Sequence, residues 1–442
     1  MKTTRVTLPA LLAAIACASS AGAQTPPSPS VVVSPDHQDG IYHVGETVKW
    51  TAEWVKAGAE PPASAKFVLK SGGQKEVGGG ELKFDGTVAH FESKFDGPNT
   101  VLAVVSWGDG PASQAVGGAV ADPFAIKPAV PEEPADFAAF WKEKVAAIKK
   151  VPPNAVLTPQ DSGKPGVKYE KVTLDGYDGS HVQGQIAVPD RPGKFPAIFQ
   201  PQYAGVYALQ KPWVTGMAGG GWLMLNIEAH DIPVDNPMDY YTKAYGPGGA
   251  LQNYWKIGNT DKNTSYYLRM YLSCVQAIEY LKTRPEWDGK TIVVMGVSQG
   301  GQQTLVTAGL CPDDVTAACA FLPAACDNWA ESIGRHSGFP FWWNQVDNRD
   351  AAAVRETSKY FDPVYFARRI KCPTLCGVAL RDDLAPPSSV FAAYNQITSP
   401  KDIVILANAA HQDENGSQQP YQKLLYGTWL PAIAQGKAPP TK

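Results

Sequence analysis

The stretch VVMGVSQGGQQ, residues 293–303, ends an apolar run in a serine flanked by glycines two residues away on each side. A serine hydroxyl attacks a carbonyl only if a base removes its proton and donors hold the negative charge that develops. Residues 291–297 read as a strand and GQQTLVTAGL as a helix. Ser298 therefore falls on a strand–turn–helix corner that thrusts its side chain outward. Gly296 and Gly300 remove side chains where strand and helix pass closest. The amide of Gln299 opens the helix and faces the same cleft, where it can donate to an oxyanion with help from the helix dipole. In a chain with 41 glycines the G-x-S-x-G string alone is weak, and its flanking elements give it meaning.

Seven histidines are candidates for the base. His37, His43 and His90 lie in an N-terminal β region, His181 in a hairpin-like stretch and His336 between strands. His230 follows the strand-like GWLMLNI and suits a substrate contact, a supporting hydrogen bond or a structural role. His411 follows DIVILANAA, the last strong strand, at the edge where loops build α/β sites. The α/β-hydrolase order of serine, acid and histidine leaves His336 and His411 and favours the latter. The acid should end the strand before it. CPTLCGVALRDDLAPPSSV offers Asp382 and Asp383 there, and spacing does not choose between them. Such a carboxylate would fix the imidazole tautomer and stabilise its charged form.

Two kinds of element must position these residues. From residue 30 to 125 the chain reads as all-β: GETVKWTAEWV, AKFVLKSG, GELKFDG, VAHFESKF and NTVLAVVSWG are short strands punctuated by turns, as in an immunoglobulin-like sandwich. A proline-rich connector over residues 126–134 follows. Over residues 135–435 strands alternate with helices. FPAIFQ, GWLMLNI, TIVVMGV, VTAACAFL, CPTLCGVAL and DIVILAN include continuous apolar runs, as in parallel strands covered on both faces of a doubly wound α/β sheet. PADFAAFWKEKVAAIKK predicts a helix capped by Asp136. NTSYYLRMYLSCVQAIEYLKTRPEWDGK predicts another, with Tyr267, Tyr271, Cys274, Ile278 and Leu281 on one packing face. Aromatic residues in HSGFPFWWNQ, namely Phe339, Phe341, Trp342 and Trp343, read mainly as packing, although they could shape a pocket.

The chain has 442 residues, enough for two domains, with 44% hydrophobic and 18% charged residues. Its 39 basic and 42 acidic side chains give no basic surface for nucleic acid. Lys2 and Arg5, then LPALLAAIACA, then Ala21-Gly22-Ala23 before Gln24 predict an export signal over residues 1–23, and so a periplasmic or secreted protein. Cys17 is a weaker candidate for a lipid anchor. No apolar run is long enough to span a bilayer. The other six cysteines form no paired C-x-x-C signature, so a zinc site is not expected, and they read as buried small hydrophobes. On one strand Cys372 and Cys376 would stand about 13 Å apart, too far to bond to each other.

Four stretches carry a resemblance to the acetyl xylan esterase / cephalosporin-C deacetylase family of α/β-hydrolases. They are PADFAAFWKEK, DKNTSYYLRMYLSCVQAIEYLKTRPEWDGKTIVVMGVSQGGQ, YFDPVYFARRIKCPTLCGVALRDDLAPPSSVFAAYNQI and VILANAAHQ, within residues 134–430. The family's acid is an Asp followed by three residues and Pro-Pro, which selects Asp382 ahead of Pro386 and Pro387. Its serine falls on Ser298 and its histidine on His411. A second oxyanion amide is implied in FQPQYAGVY, at Tyr203, or at Ala204 if the gap is placed differently. The family's R-G-Q motif is absent, with NIEAHDIPVDNP in its place, and Gln412 rather than Glu follows His411. The region before residue 125 lies outside the resemblance. Family members often form hexamers around a central chamber, so a homo-oligomer is implied, although the added N-terminal domain could block that packing.

The resemblance implies an exported serine esterase that removes acetyl groups from sugars, most readily from xylan or its oligosaccharides, with no metal or organic cofactor. Another acyl hydrolase on the same frame, an exopeptidase or a longer-chain esterase, is the alternative within enzymes. A non-catalytic carbohydrate-binding protein is the alternative outside them, with Trp50, Trp54 and Trp107 stacking on sugar rings. The intact serine, acid and histidine set argues against that last reading.

Overall fold

The computed structural model describes residues 31–441, apart from 57, 59, 111 and 112. The predicted export segment and Cys17 lie outside the described residues. Eight strands come first: β1 (Val31–Pro35), β2 (Ile41–Tyr42), β3 (Thr47–Trp54), β4 (Ala65–Ser71), β5 (Lys75–Leu82), β6 (Val88–Lys94), β7 (Asn99–Ser106) and β8 (Gln114–Ala121). They form a three-stranded sheet, β1-β3-β6, and a five-stranded sheet, β2-β8-β7-β4-β5. Period-2 alternation sends Val48, Trp50 and Ala52 inward to meet Val33, Phe91 and Val105 in one apolar core. Trp50 is fully buried and donates its Nε1–H to Ser93 Oγ at 2.9 Å, so it fills the core and offers no sugar platform. Trp54 and Trp107 pack edge to face, 6.1 Å apart, at the margin of that core.

Two glycine-rich strands depart from the expectation. The strand expected at GELKFDG begins earlier, at Lys75, and takes in Gly78, Gly79 and Gly80, while β8 (QAVGGAVA) was not expected at all. Glycine has low strand propensity, but close backbone approach overrides it here. A Cβ on Gly79 would lie 2.8 Å from the Phe67 carbonyl oxygen, and one on Gly117 would lie 2.8 Å from Val33 Cγ1.

The connector is pinned rather than free. The amides of Ala129 and Val130 both donate to Asp327 Oδ1 at 2.8 Å, and Arg335 bridges the Lys127 carbonyl and Asp327 Oδ2 at 2.8 and 2.7 Å. Helix α1 (Phe137–Ile148) follows, as expected for PADFAAFWKEKVAAIKK, and buries Phe137, Phe140, Trp141 and Ile148. Asp136 holds the N-cap position but makes no cap hydrogen bond; its carboxylate is taken by Lys262 and Tyr360 instead.

Nine strands make the large sheet: β9 (Val156–Gln160), β10 (Val167–Asp175), β11 (His181–Pro189), β12 (Phe195–Pro201), β13 (Leu223–Ile227), β14 (Trp287–Val297), β15 (Ala317–Phe321), β16 (Thr374–Ala379) and β17 (Lys401–Leu406). Their order is β17-β16-β15-β14-β12-β13-β11-β10-β9, parallel from β17 to β13 and antiparallel beyond. The antiparallel edge exceeds the purely parallel expectation. Its β10 alternates buried and accessible residues, the mark of a half-covered strand.

Helices α1, α4 (Tyr266–Thr283) and α5 (Gln299–Leu310) cover one face, and α2 (Lys211–Gly219) with Pro387–Tyr394 and the C-terminal helices covers much of the other. The short α3 (Met238–Tyr245) lies in the β13–α4 connection. β12 has β13 on one side and β14 on the other, so the chain reverses its winding there. The loops leaving β12 and β14 lie at that switch point, at the carboxyl edge where sites form in open α/β sheets. Among the described residues no helix is long and apolar enough to cross a membrane.

Candidate active site

Ser298 stands between β14 and α5 with φ 58° and ψ −123°, a conformation that non-glycine residues rarely adopt. The surroundings hold it there. Its amide donates to the Phe321 carbonyl at 2.9 Å, and its own carbonyl accepts from Gln302 at 2.9 Å and Ala324 at 3.1 Å. Three glycines make the corner sterically feasible. A Cβ on Gly296 would lie 2.5 Å from the Gly300 carbonyl carbon, one on Gly300 2.7 Å from the Pro201 oxygen, and one on Gly301 2.7 Å from the Phe321 oxygen.

Ser298 Oγ is 2.9 Å from His411 Nε2, and His411 Nδ1 is 2.7 Å from Asp382 Oδ2. Asp382 is buried, and its other oxygen accepts from the Leu384 and Ala385 amides at 2.9 and 2.8 Å. The acceptor carboxylate requires the proton on Nδ1, leaving Nε2 free to accept from the serine. Asp383 is exposed and takes no part. Two ties bind the acid loop to the histidine loop: the Arg381 amide donates to the Ala409 carbonyl at 3.1 Å, and its guanidinium reaches the Asn408 carbonyl and Glu414 at 2.9 Å each. Gln418 adds a clamp by donating to the Ala410 and His411 carbonyls at 3.1 and 3.0 Å.

Gln299 is the first residue of α5, so its amide has no acceptor within the helix. Tyr203 lies two residues beyond β12, whose last residue, Pro201, has its carbonyl oxygen 2.7 Å from where a Cβ on Gly300 would lie. Its ring stacks on Tyr207 at 4.8 Å, and the Tyr207 hydroxyl donates to its carbonyl at 3.1 Å. Buried polar groups tie this loop to the elbow. Gln303 Nε2 donates to the Gln202 and Gln299 carbonyls at 2.9 and 3.2 Å, and the Tyr254 hydroxyl donates to Gln299 Oε1 at 2.6 Å.

The segment after β13 holds the same loop from the other side. The Ala229 amide donates to Gln202 Oε1 at 2.9 Å, and His230 Nε2 meets the Gly205 carbonyl at 2.9 Å. A carbonyl only accepts, so Nε2 carries the proton and Nδ1 accepts from the Tyr266 hydroxyl at 2.6 Å. Burial lowers the His230 pKa to about 4, which keeps the ring neutral. Glu228 is buried beside it, and Gln202 does not reach hydrogen-bond geometry to its carboxyl; burial pushes that carboxyl well above its ordinary range. His230 is thus a supporting residue, one of the roles its position suggested. His336 faces Glu331 at 3.1 Å, and His43 and His181 face Asp122 and Asp231.

A family profile, acetyl xylan esterase (AXE1), matches residues 127–427. The chain belongs to the acetyl xylan esterase family. An acetyl esterase of Xylanibacter ruminicola, Axe7A, is 32% identical over 303 residues, which are 67% of this chain and 67% of that one. The acetyl xylan esterase of Paenibacillus sp. R4 superposes with a TM-score of 0.58 at 26% identity, covering 69% of this chain and 98% of that one. Acetyl xylan esterase 1 from Thermoanaerobacterium sp. JW/SL YS485 gives 0.57 at 23% identity, covering 68% and 96%, and shares the fold. Family membership makes this chain a carboxylic ester hydrolase with the α/β-hydrolase fold. The family match begins only after the sandwich, at residue 127.

Sequence reasoning did not single out Gln202, Tyr254, Gln303 or Gln418. A signal for one existed: Gln302 and Gln303 interrupt a helix otherwise built of small and apolar residues, and both are buried. The aromatic stretch packs largely as expected. Trp342 is buried against Tyr267 and donates to the Trp255 carbonyl at 2.9 Å, while Phe339 meets the Trp255 ring at 4.9 Å. All six cysteines among the described residues are free and buried.

Proposed function

We propose that this chain is an exported serine esterase that removes O-acetyl groups from carbohydrates, with acetylated xylan or xylo-oligosaccharides as substrates. The observation that carries the reading is the hydrogen-bonded relay from Ser298 through His411 to Asp382, with separations of 2.9 and 2.7 Å. His411 removes the hydroxyl proton as Ser298 Oγ attacks the acetyl carbonyl. The oxyanion accepts from the amides of Gln299 and Tyr203. Collapse breaks the ester bond, and His411 returns the proton to the leaving sugar oxygen. Water, deprotonated by His411, then releases acetate and restores the serine. No step requires a metal or organic cofactor.

The names of the relatives support the acetyl group and the xylan substrate. Residues 1–23 support export to the periplasm or beyond. The proposed division is a sandwich over 30–125, a linker over 126–134 and a catalytic domain over 135–435. The test is acetate release from acetylated xylan and 4-nitrophenyl acetate by the wild type and Ser298→Ala. The variant should lose at least a thousandfold in kcat, and full activity would refute the scheme. Rates on butyryl and octanoyl esters and on a peptide substrate separate the other acyl hydrolases.

A further inference from the structure

β8 is buried on two faces by two different domains. Gly117, Ala119 and Ala121 face the sandwich, where a Cβ on Gly117 would meet Val33 Cγ1 at 2.8 Å and Trp50 Cζ3 at 2.9 Å. Gly118 and Val120 alternate to the other side, as strand geometry requires. A Cβ on Gly118 would lie 2.3 Å from the Leu380 carbonyl oxygen and 2.6 Å from its carbonyl carbon, and Val120 belongs to the same apolar cluster as Leu380 and Ala407. Gly40, whose carbonyl accepts from the Val120 amide, also abuts Leu380 and Ala407. Leu380 lies two residues before Asp382, and Ala407 four before His411. The two loops that bring acid and base together therefore both rest on the N-terminal domain.

A second contact reaches the same loop from the far side. The Gly72 carbonyl accepts from the His336 amide at 2.8 Å. The His336 carbonyl then accepts from Ser389 Oγ at 3.1 Å, and the Phe339 amide donates to the Leu384 carbonyl at 2.8 Å. Leu384 and Ala385 supply the amides that hold Asp382 Oδ1. The acid loop is thus gripped at Leu380 and at Leu384.

We propose that the N-terminal sandwich is a positioning element for the Asp382–His411 pair, acting through Gly118 and Val120 on Leu380 and Ala407, rather than a detachable binding module. The proposal rests on the serine-esterase reading. A loop displaced at Leu380 draws the carboxylate away from the imidazole, and the imidazolium loses its partner. The acid limb of the kcat/KM profile moves to lower pH as kcat falls.

The test uses full-length protein and 4-nitrophenyl acetate. Gly118→Ala should lower kcat at least tenfold, leave KM within twofold and move the acid limb to lower pH. Gly117→Ala strains the sandwich core alone and should lower the thermal midpoint without moving that limb. Gly97→Ala, where a Cβ meets nothing within 4 Å, should match the wild type. If Gly118→Ala does not fold, Val120→Ala is read by the same criterion, with a smaller shift in the same direction. A folded Gly118→Ala or Val120→Ala protein with wild-type kcat and acid limb overturns the proposal. So does a Gly117→Ala protein whose limb moves equally. Ser298→Ala, run alongside, separates the two readings: if it is inactive while Gly118→Ala is unaffected, only the positioning role falls.

Discussion

The ring of His230 and the carbonyl of Gly205 meet at 2.9 Å, which fastens the loop after β12 to the end of β13. That loop carries Tyr203, a proposed oxyanion donor. The fastening is direct on one side and continues on the other, since the Gly205 amide reaches the Tyr254 hydroxyl at 3.4 Å and Tyr254 donates to Gln299. Donors that must not reorganise during reaction need such bracing.

His230→Phe keeps the ring's bulk and removes the tie. Because His230 acts through the loop rather than on the oxyanion, its loss should be smaller than the roughly hundredfold or more of a deleted donor. We expect kcat to fall about tenfold on that comparison, with KM little changed. Steady-state rates on an acetyl ester check this, and unchanged kcat would remove His230 from the support.

The same histidine makes stability depend on pH. Its folded pKa is about 4, against 6.5 unperturbed. Between those values the unfolded chain binds a proton that the folded chain refuses, so unfolding free energy falls as pH falls from 6.5 to 4. The contribution is roughly 3 kcal/mol when fully expressed. Glu228, with its pKa raised, acts oppositely: it supports the fold below its unfolded value and less so as pH rises. Denaturant titrations of the wild type and His230→Phe at pH 7 and 4 should therefore show a smaller acid loss in the variant. Equal losses would contradict the buried neutral ring.

Two adjacent carboxylates should behave differently. Asp382 is buried against His411 and two amides, whereas Asp383 is exposed. Asp382→Asn should cost on the order of 10⁴ in kcat, as expected when the imidazole loses its orienting carboxylate. Asp383→Asn should stay within twofold of the wild type. Comparable losses in both variants would mean that the acid is misassigned.

The elbow tolerates no added methyl. Gly300→Ala would place Cβ 2.7 Å from the Pro201 carbonyl oxygen, a backbone atom that cannot swing aside. Overpacking of this kind costs about 1–3 kcal/mol. Because it pushes the Tyr203 loop off the serine corner, kcat should fall along with the thermal midpoint. A variant with wild-type values in both would mean that the contact is looser than described.

Much of the site was legible in the chain itself. A glycine-flanked serine after an apolar run, an acid after the next-to-last strand and a histidine after the last one are local patterns. Their order along the chain matches the serine, acid, histidine order of α/β-hydrolases. The packing stripe of α4 was readable for the same reason, because periodicity is a property of neighbours in sequence.

Other features depended on atoms far apart in the chain. Telling Asp382 from Asp383 takes either the family's Pro-Pro pattern or contacts in space, since both residues follow the same strand. The strand at QAVGGAVA was invisible because glycine carries no strand signal; only the approach of Val33 on one side and Leu380 on the other gives those glycines a reason. His230, Gln202 and Gln303 acquired their places only when the loops after β12 and β13 came within hydrogen-bond reach. Sequence alone determined which groups this protein carries and on which elements. Tertiary structure decided which of them meet, because hydrogen bonds and steric contacts depend on distance in space rather than along the chain.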